Sequence, residues 1–177
     1  MRNIIETERL RLINCDEEII HAILESDEAI STLLQVNVAS PWSEAGEAAF
    51  RFSLEKISSF PDEKIWWTYL PILKSENKLI GSGGYKGKPD ENGIVEFGYE
   101  IAVAYRNRGL ATEMAKGLIQ FAFKSDLVQV VMAHTLAEEN ASVKVLRKCG
   151  LQFINEENDD EAGKVWRWEM GRIDKMT

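Results

Sequence analysis

Residues 105–115 read Tyr-Arg-Asn-Arg-Gly-Leu-Ala-Thr-Glu-Met-Ala, a basic turn that contains one glycine. The pattern predicts a strand before this turn, over residues 94–103, and a helix after it, over residues 112–124. The first amides of a helix lack intrahelical partners and lie at the positive end of the helix dipole, so they attract anions. Gly109 lets a bulky group approach the backbone, and Arg106 and Arg108 add positive charge. The stretch therefore predicts a phosphate site, most simply for a pyrophosphate.

Other phosphate-binding loops fit the sequence less well. The chain has no Gly-x-x-x-x-Gly-Lys-Ser/Thr motif, and no Gly-x-Gly-x-x-Gly motif that follows a strand and opens a helix. The spacing Arg-x-x-Gly-x-Ala at Arg106, Gly109 and Ala111 instead resembles the acyl-CoA loop of the GNAT superfamily of N-acyltransferases. For this short pattern taken alone, the alternative is an ordinary helix start with solvated arginines.

Four further segments extend the resemblance, in the same order along the chain. They resemble the opening strand, the third strand, the fourth strand and the later helix of the ribosomal-protein N-terminal acetyltransferase-like branch. The segments are residues 7–12 (TERLRL), 79–84 (LIGSGG), 95–99 (VEFGY) and 140–151 (NASVKVLRKCGL). The chain is identified on these segments as a member of the superfamily, over nearly its whole length.

Composition is typical of one compact enzyme domain, and we expect that domain to span residues 1–177. Cys15 and Cys149 show neither metal-ligand spacing nor a disulfide framework, which favours a reducing, cytoplasmic compartment and no bound metal. Neither a run of 18 apolar residues nor a signal-peptide segment is present, so we expect no membrane insertion and no export. We expect a monomer or a homodimer.

The net charge of −8 bears on the class of partner. An acidic protein binds nucleic acid poorly, because that affinity depends on neutralising phosphates, and no direct nucleic acid binding is predicted. A negative cleft would instead attract and concentrate cationic amines. The alternative is that the acidity only keeps the protein in solution.

The hydrophobic pattern predicts alternating strands and helices. Predicted strands span residues 9–13, 66–74, 78–85, 94–103, 128–135, 152–156 and 165–171, with Pro71 marking an edge or irregular strand and an acidic loop at 158–163. Predicted helices span residues 16–34, 43–58 with Ser43 as its cap, 112–124, and 142–149 with Gly150 as a left-handed cap. The fold class implied is α/β (α+β), a GNAT-type twisted, mixed but mostly antiparallel sheet of about seven strands flanked by helices. Its cofactor would lie in a V-shaped opening between the strands at 94–103 and 128–135.

Strand alternation places Glu96, Gly98 and Glu100 on one face of the predicted central strand. Acyl transfer from a thioester to an amine needs a base for the amine, stabilisation of the oxyanion and a proton for the leaving thiolate. Because a strand glutamate is the general base in some GNAT relatives, the resemblance makes Glu96 the first candidate and Glu100 the second. The alternative for Glu96 is a pair with an arginine or an exposed amide.

The resemblance also implies which residues hold acetyl-CoA. Backbone amides at Ile101, Ala102 and Val103, where the central strand parts from its neighbour, would hold the thioester carbonyl and the pantetheine arm. The pyrophosphate would lie on Arg106, Asn107, Arg108, Gly109, Leu110, Ala111 and Thr112. Asn140 is a candidate for the pantetheine amide, although many relatives carry this asparagine where Glu139 stands here.

The leaving thiolate also needs a proton donor. The family often uses a tyrosine on the later helix, and this chain has none between residues 140 and 150. The Ser142 hydroxyl is a candidate donor, and equally it is a helix cap. Cys149 is interpreted as a packing residue rather than a nucleophile.

Other side chains have two interpretations. His134 is predicted to be a hydrogen-bonded core histidine, and His21 to face solvent. Trp42, Trp66 and Trp67 are candidates for an aromatic wall of the acceptor site, although core packing is the alternative for at least one of the adjacent pair.

The function implied is transfer of an acetyl group from acetyl-CoA to a primary amine by direct attack in a ternary complex. The preferred acceptor is a protein or peptide N-terminal α-amine, and the alternative is a small amine such as a polyamine, an aminoglycoside or another antibiotic. Acceptor choice would lie in residues 35–47, 86–92 and 158–163. A competing class is a non-catalytic acyl-CoA sensor, with which the absent tyrosine and the shifted asparagine are compatible. An interaction protein with an acidic surface is a third class.

Overall fold

The computed structural model of the chain describes residues 1–173. Its strands are β1 (Ile4–Glu6), β2 (Leu10–Asn14), β3 (Asn37–Val38), β4 (Thr68–Leu73), β5 (Lys78–Leu79), β6 (Gly81–Tyr85), β7 (Ile94–Ile101), β8 (Val130–Leu136), β9 (Gln152–Asp159) and β10 (Gly163–Gly171). Its α-helices are α1 (Glu17–Glu25), α2 (Asp27–Leu34), α3 (Glu47–Ser59), α4 (Leu110–Ala122) and α5 (Ala141–Cys149), and short 3₁₀ helices span Pro61–Trp66 and Val103–Tyr105.

The strands form one mixed sheet in the order β1-β2-β4-β6-β7-β8-β10-β9, with β3 and β5 attached beside β4. Only the β7–β8 and β3–β5 pairs are parallel among the described residues. Strands β1, β3 and β5 span two or three residues, and the other seven span five or more. The predicted mostly antiparallel sheet of about seven strands is confirmed.

The pairing of β7 opens the sheet at one point. β7 pairs with β6 from Phe97 to Ile101, but it pairs with β8 only from Ile94 to Glu96, opposite Val130–Met132. The two parallel strands therefore part after Glu96, and a V-shaped gap opens toward their C-terminal ends. The gap lies between the two strands that the sequence predicts. It begins after Glu96, whereas the sequence predicts that the strands part only at Ile101.

Helix α4 follows this gap and packs against β7. It begins at Leu110 rather than Thr112, because Gly109, with φ of 76°, takes the left-handed N-cap position. Leu110, Met114 and Leu118 recur at helical spacing and are buried, so they fix this face of the helix in the core.

The predicted helix over residues 16–34 is wrong in one respect, because Ser26 divides it into α1 and α2. Ser26 has an extended backbone, and its hydroxyl accepts a hydrogen bond from the amide of Ala29 at 3.0 Å. Ser26 is thus both the residue that ends α1 and the N-cap of α2. Serine is a common N-cap because its short polar side chain can accept a hydrogen bond from a free helix amide.

Two other expectations for the first half of the chain are corrected. Helix α3 begins after Gly46, so Ser43 is not its cap. Pro71 lies in β4 between β2 on one side and β5 and β6 on the other, so it is not on an edge strand. The irregularity expected there is present, because the partner strand breaks at Ile80, whose amide donates to the Pro71 carbonyl at 3.1 Å.

The C-terminal part follows the sequence pattern closely. Gly150 ends α5 with φ of 91°, which confirms the left-handed cap. β9 continues to Asp159, so the predicted acidic loop shrinks to a turn at residues 160–162. Within residues 1–173, none of the helices is both long and apolar enough to cross a membrane.

Candidate active site

The backbone of β7 presents amides to the V-shaped gap. The Ala102 amide donates to the Ile80 carbonyl at 2.7 Å, and the Glu96 carbonyl accepts from the Lys86 amide at 3.0 Å. Both contacts lie on the β6 side, so even-numbered residues of β7 direct their backbone groups to β6, and odd-numbered ones direct theirs to β8. Tyr99 and Ile101 lie beyond the end of the β8 ladder. Their amides therefore face the gap and can donate to a carbonyl ligand.

The three residues expected to offer amides here behave differently. Ile101 fits the expectation. Ala102 does not, because its amide is bonded to β6. Val103 begins a 3₁₀ turn and exposes 58% of its surface at the mouth of the gap. Tyr99 is the residue that sequence reasoning missed, since the point where two strands part is a property of their pairing.

The turn after β7 has the geometry of an anion site. Asn107 and Gly109 are both left-handed, with φ of 59° and 76°. In the described chain we find no acceptor for the amides of residues 107–112, whereas the next amide, Glu113, donates to Gly109 at 3.1 Å. A run of free amides at a helix start fits a phosphate group.

The two arginines of this turn have separate positions. Arg106 turns back from the loop, and its guanidinium donates to the Ile101 carbonyl at 2.8 Å and to Glu44 at 3.0 Å. It therefore holds the end of β7 rather than extending toward a phosphate. Arg108 lies over the ring of Tyr105 at 5.3 Å and stays nearly half exposed. Its Nη1 lies 4.0 Å from Glu76 Oε1, a looser ion pair than the 3.0 Å pair of Arg106 with Glu44.

A clamp from the N-terminal turn holds the start of α4. The Glu113 carboxylate accepts hydrogen bonds from the Thr7 hydroxyl, the Arg9 amide and the Arg9 Nε, each at 2.6 Å. Arg9 Nη1 also donates to the carbonyl of Arg108 at 2.8 Å. Thr7 and Arg9 belong to a segment that carried the family resemblance, but nothing in the sequence indicated a partner 104 residues away.

The clamp predicts a pH-dependent loss of stability in Glu113→Gln. Burial raises the pKa of Glu113, but the hydrogen bonds from Thr7 and Arg9 outweigh burial and hold the pKa below its usual value. A carboxylate whose pKa is lower in the folded state than in the unfolded state stabilises the fold at pH values above the usual glutamate pKa. This contribution is lost as the pH falls through the lowered pKa. Urea unfolding should show the variant less stable by about 1–3 kcal/mol at pH 7, with a smaller difference in acid.

The matched control is Glu47→Gln, which removes an exposed pair with Arg51 on α3. Exposed pairs contribute about 0–1 kcal/mol, so this variant should unfold almost as wild type does. A Glu113→Gln deficit that stays constant from neutral to acidic pH would contradict the charged clamp.

Glu96 stands where the two strands part. Its Oε1 accepts from Lys86 Nζ at 2.6 Å and lies 3.0 Å from His134 Nδ1, while we find no partner for its Oε2 among residues 1–173. The alternative expected for Glu96 was a pair with an arginine or an exposed amide. Its partners are instead a lysine and a histidine. Within the described residues, the hydrogen bonds of this carboxylate are thus all made by Oε1.

Glu100, the second candidate base, is fully occupied. Its Oε1 accepts from the hydroxyls of Ser43 and Ser82, and its Oε2 accepts from the Glu44 amide at 2.9 Å. The carboxylate thus ties the segment before α3 to β7, which explains Ser43 better than a helix cap does. Gly98 lies between the two glutamates on the same face, and a Cβ built on it would meet nothing within 4 Å. The space over Gly98 is therefore open.

Helix α5 follows β8, the strand on the other side of the gap from β7. Asn140 is the N-cap of α5, with its Oδ1 accepting from the Val143 amide at 3.0 Å, so Ser142 is not the cap. The Tyr99 hydroxyl makes a long contact of 3.5 Å with the Ser142 carbonyl. Burial raises the pKa of Tyr99, so its hydroxyl stays protonated and remains a donor. A strand tyrosine thus reaches the region where the family often places a helical one.

The remaining candidates take structural places. Trp42, Trp66 and Trp67 are all buried in the core, so the predicted aromatic wall is wrong. His21 is exposed as predicted, but His134 is not a core residue, because it lies partly exposed between Glu96 and Glu157. Burial raises the pKa of Cys149 to about 11, which agrees with packing rather than nucleophilic attack. Residues 1–173 contain no cluster suited to a metal ion.

Comparison with known proteins agrees with this arrangement. A family model described as an acetyltransferase (GNAT) domain matches residues 9–152. The uncharacterised N-acetyltransferase YjdG of Bacillus subtilis (strain 168) is 31% identical over 151 residues, which cover 83% of this chain and 88% of that protein.

Two solved structures have the same fold at low sequence identity. The RimL ribosomal L7/L12 α-N-protein acetyltransferase in complex with coenzyme A is 15% identical with a TM-score of 0.71, covering 96% of this chain and 98% of that one. The ribosomal-protein-S5-alanine acetyltransferase from Vibrio fischeri is 17% identical with a TM-score of 0.72, covering 97% and 98%. The family match, the sequence relative and the parted strands all agree with the resemblance seen in the sequence: the chain belongs to the GNAT family of N-acetyltransferases.

Proposed function

We propose that this protein transfers an acetyl group from acetyl-CoA to a primary amine by direct attack in a ternary complex. One observation carries the proposal. Glu96, with Oε2 free, stands at the point where β7 and β8 part, beside the gap into which the amides of Tyr99 and Ile101 point. A base and carbonyl-binding amides around one opening are what acyl transfer to an amine requires.

Acetyl-CoA would lie along the gap from the anion site to Glu96. The free amides of residues 107–112 would hold the pyrophosphate, with Arg108 beside them. The amides of Tyr99 and Ile101 would hold the pantetheine arm and the thioester carbonyl. The amide nitrogen of Asn140 would add a donor at the start of α5, since its oxygen already caps that helix.

The reaction would need one proton to leave the amine and one to reach the sulfur. Glu96 Oε2 would take the amine proton, directly or through a water, and the amine lone pair would then form the new bond to the carbonyl carbon. As the carbon–sulfur bond breaks, the thiolate would take a proton from the Tyr99 or Ser142 hydroxyl, which would recover it from water. The raised pKa of Cys149, about 11, supports direct attack rather than a cysteine intermediate.

The acceptor would enter over Gly98, between Glu96 and Glu100. Two carboxylates beside an open floor suit a cationic amine, in keeping with the net charge of −8. We favour a peptide N-terminus, because the fold matches ribosomal-protein acetyltransferases over nearly the whole chain. The same acidic floor would also accept a small polyamine or aminoglycoside.

The molecular setting follows from the same features. One continuous sheet supports a single catalytic domain, which we propose spans residues 1–177. We further propose that it acts as a monomer or a homodimer. Two unpaired cysteines support a cytoplasmic location.

An acetyl-CoA turnover screen with two sets of acceptors tests the proposal. One set contains peptides that begin with serine or alanine, and the other contains spermidine and aminoglycosides. We expect turnover with at least one peptide. Turnover of a small amine with all peptides inert would overturn the acceptor preference. Binding of acetyl-CoA with no amine acetylated would favour the sensor class, and no binding at all would favour the interaction protein.

Gly98→Val is expected to block the acceptor without affecting the acyl donor. The added side chain would fill the open floor between the two glutamates, so kcat/KM for the acceptor should fall by about tenfold or more. Calorimetric affinity for acetyl-CoA should not change, because its amide sites lie on other residues. The control is Gly171→Val, an equally open strand position on β10, which should keep full activity. Equal loss in both variants would contradict this entry route.

A further inference from the structure

His134 connects two carboxylates on the face of the sheet that carries Glu96. Its Nδ1 lies 3.0 Å from Glu96 Oε1, and its Nε2 lies 3.0 Å from Glu157 Oε2. Both distances are those of hydrogen bonds. Glu96 is on β7, His134 on β8 and Glu157 on β9, so the three side chains cross the sheet at the narrow end of the gap.

Each of the two contacts needs a proton from the imidazole. Ionised carboxylates only accept, so the imidazolium form satisfies both contacts and either neutral tautomer satisfies one. Because the two ring nitrogens point to different carboxylates, the three groups do not converge on one point, which agrees with the absence of a metal cluster in residues 1–173.

The contact decides which oxygen of Glu96 is free. Lys86 Nζ and His134 Nδ1 both approach Oε1, and neither approaches Oε2. Lys86 is largely exposed, with 64% of its side chain accessible, whereas His134 is 23% exposed. The histidine is therefore the better ordered of the two donors, and it fixes the rotation of the carboxylate.

Glu157 is held in turn. Its Oε2 lies on His134, and its Oε1 is 3.4 Å from Arg167 Nη1. The hydrogen bond from His134, with further help from Arg167, lowers the pKa of Glu157, so this carboxylate stays ionised as a fixed partner. Beside Glu96 and Glu157, the charged groups near this cluster in the described residues are Lys86 on Glu96, Arg167 on Glu157, Asp159 near His134, and Glu169 paired with Arg167.

We propose that His134 is a positioning residue for the base: it donates from Nδ1 to Glu96 Oε1, so that Oε2 faces the amine, and Glu157 orients the imidazole. This role rests on the proposed function of Glu96. It extends the arrangement in which a third group orients a catalytic pair. In this role both His134 and Glu157 act through Glu96, to which they are linked by hydrogen bonds.

Two substitutions of His134 separate the two contacts. Asparagine places an amide nitrogen near the position of Nδ1, whereas glutamine places one near the position of Nε2. His134→Asn should therefore retain most of kcat, and His134→Gln should lower kcat by about tenfold, less than the 10²–10⁴-fold contribution of a general base itself. The affinity for acetyl-CoA should be the same in both, and the pH–rate profile should change shape only in His134→Gln.

The control is His21→Gln, since His21 is the only other histidine and lies exposed on α1. The acceptor in these assays is the best substrate from the turnover screen. Equal kcat in the asparagine and glutamine variants would overturn the positioning role, whether both keep the wild-type value or both lose it.

Nitrogen NMR tests the contact without any acceptor. With His21→Gln as background, a ¹⁵N-histidine sample reports one imidazole, and its shifts show which nitrogen carries a proton. We expect a proton on Nδ1 in the wild-type site and its loss from Nδ1 in Glu96→Gln at the same pH. An unprotonated Nδ1 in the wild-type site would refute the proposal. A protonated Nδ1 combined with a fully active Glu96→Gln would refute the base function, and His134 would then have no catalytic role.

Discussion

Glu96→Gln should lower kcat by about 10²- to 10³-fold, because the amine then has no carboxylate to take its proton. The substitution keeps the size of the side chain and an oxygen that can accept from Lys86, so the strand and the gap should remain intact. The dissociation constant for acetyl-CoA should change little, since the amides proposed to hold the donor lie at residues 99–112. Steady-state kinetics and calorimetry measure the two quantities separately.

Glu100→Gln is the matched comparison for this prediction. The same chemical change is made on the same face of β7, but Glu100 already accepts three hydrogen bonds and ties the Ser43 segment to the strand. We expect a lower melting temperature and a smaller fall in kcat than in Glu96→Gln. A larger fall in the Glu100 variant would move the base to Glu100.

Gly109→Val should abolish the stabilisation that acetyl-CoA confers. A ligand at 100 times its dissociation constant stabilises the native state by about 2.7 kcal/mol, which raises the melting temperature. Gly109 has φ of 76°, a conformation that valine adopts only under strain, and its added side chain would crowd the free amides at the start of α4. A Cβ there would also come within 3.3 Å of Arg9 Nη2 in the clamp. The shift with acetyl-CoA is measured by thermal unfolding.

Gly163→Val controls for strain alone. Gly163 has nearly the same φ, 77°, and a Cβ built on it meets nothing within 4 Å. Both variants should be less stable than wild type, but only Gly163→Val should keep the full shift with acetyl-CoA. An unchanged shift in Gly109→Val would show that the anion site lies elsewhere.

Local patterns were sufficient for much of the fold. Alternation in Glu96–Glu100 placed both glutamates on one face, and Gly150 ended its helix as predicted, because these properties depend on neighbours within a few residues. The turn around Gly109 could also be predicted from the sequence, since its left-handed glycine and the free amides of the following helix belong to one short segment. The errors at Ser26 and Ser43 arose where one polar side chain had several possible partners.

The sequence by itself determined the sheet class, the left-handed turn at Gly109 that opens α4, and the face on which Glu96 lies. Only the tertiary structure decided what surrounds that glutamate. His134 lies 38 residues away and Glu113 lies 106 residues from Thr7, and such contacts depend on strand order rather than on local pattern. The pairing of β7 with β8 ends after Glu96, which alone directs the amides of Tyr99 and Ile101 into the gap. Strand register is a property of the whole sheet, so no short segment of this chain could reveal it.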